Sequence, residues 1–69
     1  MANHPIKDWR LSRGLTQTEL GDAIGVTKAA VSRYEQGIAP SWAVQVEIFE
    51  FTEGAVTPND WLPRREIAL

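Results

Sequence analysis

The sequence predicts an all-α fold, a compact five-helix single domain over residues 1–69, and three observations predict it. Apolar residues recur three and four apart over short stretches, the spacing of a helix with one buried face. Thr16, Thr27, Ser41 and Thr57 each stand just before such a stretch, where a hydroxyl can accept from an orphan N–H of the first turn. Gly14, Gly25 and Gly37 stand just after three of them, as helix stops.

The first helix runs from Pro5, tolerated at the first helical position, to Arg13, and turns Ile6, Trp9, Arg10 and Arg13 inward. The second opens at "TQTE", Thr16 to Glu19, a capping box in which hydroxyl and carboxylate satisfy two orphan donors. Its buried stripe is Leu20, Ala23 and Ile24. The third follows Thr27, with Val31 and Tyr34 inward and Ala30 beside them. Pro40 breaks the chain, Ser41 caps a fourth helix reaching about Thr52, and "TPND" starts a short fifth one. Trp61 and Leu62 are expected to fold back on the core, with residues 63–69 as a tail. Residues 44–51, "VQVEIFEF", also alternate like a strand, but the Pro-Ser start signal and the lack of a partner strand favour helix.

Composition narrows the function. Without cysteine there are no disulfides or thiolate metal sites, and one histidine cannot hold a metal, so no metal or other cofactor is expected. No apolar run approaches the ~20 residues of a membrane span, and "MANHPIKDW" lacks the apolar core of a signal peptide. A cytoplasmic protein follows as the expectation. With no glycine-rich phosphate loop and no carboxylate pair set by a pocket-forming fold, an enzyme is not expected. The net charge of −2 counts against nucleic acid, but the acid is unevenly placed. Residues 1–37 carry +1 and residues 38–69 carry −3, which leaves room for a basic face in the first half.

That face lies on the third helix. Lys28, Ala29, Ser32 and Arg33 occupy its outer side, small or long and polar, and crowd nothing at the N-terminal end. Two helices joined by "GVT", the second clear and basic at its start, have the layout of a helix-turn-helix over about residues 16–37. In that layout the second helix enters the DNA major groove N-terminus first. Lys28 and Arg33 can donate to guanine O6 and N7, and an alanine methyl can meet a thymine methyl. Gln17 begins the second helix, where a side-chain amide and backbone N–H groups can hold a phosphate. A minor-groove role for Arg64 and Arg65 is the lesser reading beside a solvated tail.

"RGLTQTELGDAIGVTKAAVSRYEQG", residues 13–37, resembles the phage repressor/Cro-like (Xre-type) helix-turn-helix family, and "GAVTPNDW" resembles the end of many short members. The resemblance covers about Ile6 to Leu62 and implies a lambda-repressor-like DNA-binding fold. It implies that Thr16, Gln17 and Thr27, with Gln36 in the same role, hold phosphates, while Lys28, Ala29, Ser32 and Arg33 face bases. It implies a buried Arg10–Glu35 ion pair between the first and third helices. It also implies a phage or prophage transcriptional repressor, nucleoid-associated through its DNA, that binds a pseudo-palindromic operator as a homodimer with no small-molecule ligand. Two departures stand out: Gly21 replaces the usual alanine and should loosen the second helix by up to ~1 kcal/mol, and Ala29 replaces a position often polar.

The fourth helix carries a second apolar stripe, Trp42, Val46 and Phe49, nearly opposite Val44, Ile48 and Phe51. This stripe is expected to be a two-fold dimer interface; the plainer alternative folds Trp42 down over the core. Together with the acidic second half, it also suits a protein-binding module such as an antitoxin or adaptor.

Overall fold

The computed structural model describes residues 3–62. Four α-helices follow one another, α1 (Pro5–Ser12), α2 (Gln17–Ile24), α3 (Lys28–Glu35) and α4 (Trp42–Phe51), then a single 3-10 turn, Pro58–Trp61. The described residues contain no strand, and residues 44–51 lie within α4. The expected fifth helix is thus one 3-10 turn, and α1 and α4 each stop one residue short of their expected ends. No helix of the described residues is long and apolar enough to cross a membrane.

Local chemistry delimits each element. Thr16 Oγ1 accepts from the Glu19 N–H at 3.0 Å while the Glu19 carboxylate accepts from the Thr16 N–H at 2.9 Å, a complete capping box. Thr27 Oγ1 accepts from the Ala30 N–H at 3.1 Å, and Ser41 Oγ from Val44 at 3.5 Å. At the 3-10 turn the Asp60 carboxylate accepts from the Thr57 N–H at 2.9 Å. Gly37, at φ 101°, lets the Ile38 N–H bond back to the Arg33 carbonyl at 3.1 Å, so α3 ends in a six-to-one closure.

The cap of α1 was not anticipated. His4 Nδ1 accepts from the Ile6 N–H at 3.1 Å, and its Nε2 lies 3.0 Å from the Asp60 carbonyl oxygen. With Nδ1 accepting, the ring's one proton sits on Nε2 and is donated to Asp60. The imidazole also lies 4.6 Å from the Trp61 ring, so one side chain starts α1 and ties it to the 3-10 turn.

Ile6, Leu20, Ile24, Val31, Ile48, Val56 and Trp61 form the core, with Trp9, Val26, Tyr34 and Val44 packed on its edge. Trp61 reaches in with its indole N–H donated to the Tyr34 carbonyl at 3.1 Å. Thr52 is buried without cost in unmet polarity, since its hydroxyl donates to Ile48 O at 2.7 Å and accepts from the Val56 N–H at 3.1 Å.

Four inward assignments change, those of Ala23, Arg13, Phe51 and Leu62, all of which are exposed. Ala23 is exposed and Gly21 is buried, because the α2–α3 connection passes on the Gly21 side. Arg13 is exposed, its guanidinium 5.3 Å from the Trp9 ring centre, where it covers the indole from solvent. Leu62 is exposed, past the end of the 3-10 turn. Gly21 does more than loosen α2: a Cβ there would stand 2.6 Å from the Val26 carbonyl oxygen and 3.3 Å from the Thr27 carbonyl carbon. Its missing side chain is what lets the α2–α3 connection pass so close, helped by Gly25 at φ 81°.

Candidate nucleic-acid interface

The α2–α3 unit is held from beneath by a buried ionic network. Arg10 Nε donates to Glu35 Oε2 at 2.6 Å and Nη2 to Oε1 at 3.3 Å, while Nη1 donates to the Leu15 carbonyl at 2.9 Å. The two side chains are only 9% and 5% exposed. Gln17 Nε2 adds a third donor to the carboxylate, 3.0 Å from Oε1. One carboxylate near the end of α3 therefore fixes α1, the α1–α2 loop and the first residue of α2. Charge-assisted bonds of this kind are short and geometrically strict, which suits a frame that must hold two helix starts in fixed relation.

Sequence reasoning put the Gln17 amide outward. Folding turns it half inward onto Glu35, which leaves its backbone N–H, at the first position of α2, as the part of Gln17 that faces out for an anion. Thr16 and Thr27 spend a hydroxyl lone pair on their caps and keep the O–H proton for an acceptor outside the protein.

Above this frame Lys28, Ala29, Arg33 and Gln36 are exposed on the outer side of α3, and Ser32 lies half-buried among them. The Gln36 amide donates to Ser32 Oγ at 3.3 Å, so these two side chains hold each other along the helix. Thr27, Lys28 and Ala29 form the leading end, with nothing larger than one lysine stem.

Lys28 has a second neighbourhood that helical periodicity hides. It lines an open hollow of about 670 Å³ together with Leu15, Thr16, Gln17 and Thr18 at the start of α2. The hollow thus joins a helix N-terminus, a threonine hydroxyl and an ammonium group, three groups that attract a phosphate. Arg33, by contrast, lies more than a turn further along α3 and does not border the hollow.

The stripe on α4 is exposed as well. Trp42, Val46 and Phe49 are 71%, 36% and 46% exposed, and Trp42 does not fold over the core. Phe51, assigned to the inner face, is instead 39% exposed and meets Trp9 edge-on with ring centres 5.3 Å apart. Arg64 and Arg65 lie outside the described residues.

No curated protein and no solved structure matches the chain. A helix-turn-helix family model does match it, over residues 6–41, which is more than half of its length and takes in α1, α2, the turn and α3. The buried Arg10–Glu35 frame, the close α2–α3 turn and the cleared outer face of α3 all fall inside that span, and the chain belongs to the Xre/Cro-like helix-turn-helix family of DNA-binding regulators.

Proposed function

We propose that the protein is a Cro-like repressor of phage or prophage type that binds a pseudo-palindromic operator as a homodimer. The observation that carries this reading is the leading end of α3, exposed and free of bulk, next to the hollow at the start of α2. An α-helix fits the major groove, where each base pair presents its own pattern of donors, acceptors and methyl groups.

In this reading Arg33 is the principal base reader, donating two N–H groups of its guanidinium to guanine O6 and N7. Ala29 contributes at most a methyl contact, and Ser32 with Gln36 presents a coupled polar pair to base or backbone. Thr16 and Thr27 donate their hydroxyl protons to phosphates on either side of the groove, and the Gln17 backbone N–H joins Thr16. Lys28 is assigned to bases by its place on α3, and its position at the hollow adds a phosphate within its reach. Repression follows from occlusion of polymerase, which needs no ligand and no second domain.

Two copies related by a two-fold axis would set their α3 helices one turn of DNA apart, ~34 Å. The Trp42, Val46 and Phe49 face of α4 is the surface assigned to that contact. The same exposed face supports a second reading, an antitoxin or adaptor that uses the fold to hold a protein.

Selection of bound sites from a random duplex pool separates the two. The repressor reading expects an enriched inverted repeat whose binding weakens steeply with salt, as phosphate contacts release counterions. Recovery of no preferred site, with no salt-dependent duplex binding, would leave the protein-binding reading.

A further inference from the structure

His4 joins three elements through one ring, and the joint depends on the ring's charge. Nδ1 accepts from the Ile6 N–H at 3.1 Å, and the Nε2 proton is donated to the Asp60 carbonyl at 3.0 Å. The ring lies 4.6 Å from that of Trp61, whose indole N–H runs on to the Tyr34 carbonyl at 3.1 Å. The start of α1, the 3-10 turn and the last turn of α3 thus meet at a half-buried imidazole.

A neutral imidazole has one acceptor nitrogen, and a charged one has none. A proton added at Nδ1 would set two N–H groups against each other at 3.1 Å, so the charged ring must leave the cap. The partial positive charge at the start of α1 pushes the same way. Beside the ring there is room for it to go. An open hollow of about 420 Å³ lies between His4, Glu35 at the end of α3 and Asp60 of the 3-10 turn. Glu35 accepts there from Arg10 and Gln17, and Asp60 accepts from the Thr57 N–H through Oδ2. On α1 itself Lys7 and Asp8 follow in the first turn, and the Asp8 carboxylate takes the Asn3 amide at 3.3 Å. The cap therefore requires the neutral ring, while the hollow offers the charged one two carboxylates and water.

We infer that His4 is a proton-operated clasp. Neutral, it caps α1 and ties it to the 3-10 turn; protonated at Nδ1, it turns into the hollow toward Asp60 and Glu35, and both ties open. The inference stands apart from the DNA and dimer readings above. Pro58, in the same 3-10 turn, borders the apolar groove on α4, so acid loosens one wall of that groove. Arg10, further along α1, keeps its bonds to Glu35 and the Leu15 carbonyl, which leaves the α2–α3 frame outside the reach of the clasp.

Nuclear magnetic resonance of the full chain at about pH 7.5 and about pH 5.0, on either side of the ordinary imidazole range, tests it. At the higher pH the His4 ring nitrogens should show the Nε2–H tautomer, with the Ile6 amide protected from hydrogen exchange. At the lower pH the Ile6 protection factor should fall roughly fivefold, the size of one lost N-cap, and the Trp61 indole N–H should shift. The Ile24 and Ile48 amides, in the core, should keep their protection factors. His4→Asn retains a capping side chain that does not titrate, so its Ile6 amide should be equally protected at both pH values.

An Nδ1–H tautomer at the higher pH, an Ile6 amide equally protected at both, or a loss at Ile6 shared by Ile24 and Ile48 would each overturn the clasp. So would a His4→Asn chain that responds to pH as the native one does, because a carboxylate would then be the titrating group. The tautomer and the Ile6 amide are read on the native chain, so these two readouts decide even where the variant fails to fold.

Discussion

Replacing Glu35 by glutamine changes one oxygen for one nitrogen and keeps the side-chain volume, so its effect isolates the charge. In the native fold the carboxylate accepts from Arg10 Nε, Arg10 Nη2 and Gln17 Nε2. A carboxamide has only one oxygen, and its NH2 group must face at least one of these three donors. The guanidinium, 9% exposed, keeps its charge without a counterion. Breaking a buried pair from one side costs about 3–5 kcal/mol. For a chain of 69 residues, total stability is on the order of 3–10 kcal/mol, so the variant gives up a third of it or more. At about 4–8 °C per kcal/mol for a domain of this size, Tm should fall by at least ~12 °C in a thermal melt followed by circular dichroism. The double replacement Arg10→Met with Glu35→Leu removes both charges and keeps the volume filled. It should recover most of the loss, short by about 1 kcal/mol because Leu15 O and the Gln17 amide lose their partners. A fall in Tm of less than ~4 °C for Glu35→Gln, or a double variant as unstable as the single one, would refute the reasoning, because the frame would then owe its strength to packing rather than to the ion pair.

Three other perturbations probe the remaining links. Gly21→Ala gains up to ~1 kcal/mol of helix propensity but drives a Cβ to 2.6 Å from Val26 O, so the α2–α3 turn must open; a net loss of about 1 kcal/mol in urea denaturation is expected, and a stabilised variant would show that the turn yields freely. Arg33→Ala should relax base preference at one position, at ~1–3 kcal/mol for a lost bidentate contact, whereas Lys28→Ala should also reduce the salt slope by about one unit, because Lys28 shares the α2 hollow. Unchanged site selection in both variants would remove the readout assignment. Phe49→Glu puts a second charge beside Glu50 on the apolar face of α4; it should lower the dimer fraction in sedimentation and cut operator affinity with the fold intact, and unchanged dimerisation would move the interface elsewhere.

What the sequence determined by itself is everything written within one helical turn. The capping box at Thr16 and Glu19, the Thr27 and Ser41 caps and the glycine stop at Gly37 each join groups three to five residues apart, so residue type and spacing suffice. The outer side of α3 was legible for the same reason, since inward Val31 and Tyr34 fix which residues remain outside. Tertiary structure decided whatever depends on a neighbour distant in sequence. Ala23 and Gly21 are nearly equal claimants for the inner side of an eight-residue helix, and the close passage of the α2–α3 connection chose the one without a side chain. Gln17 was drawn off the outer side by a carboxylate 18 residues away, and His4 became the α1 cap because Asp60 and Trp61, far along the chain, hold the other side of its ring. Helical periodicity ranks the faces of one helix alone; which face is buried, and which polar group finds its partner there, is set by the packing of several helices at once, and no local pattern carries that information.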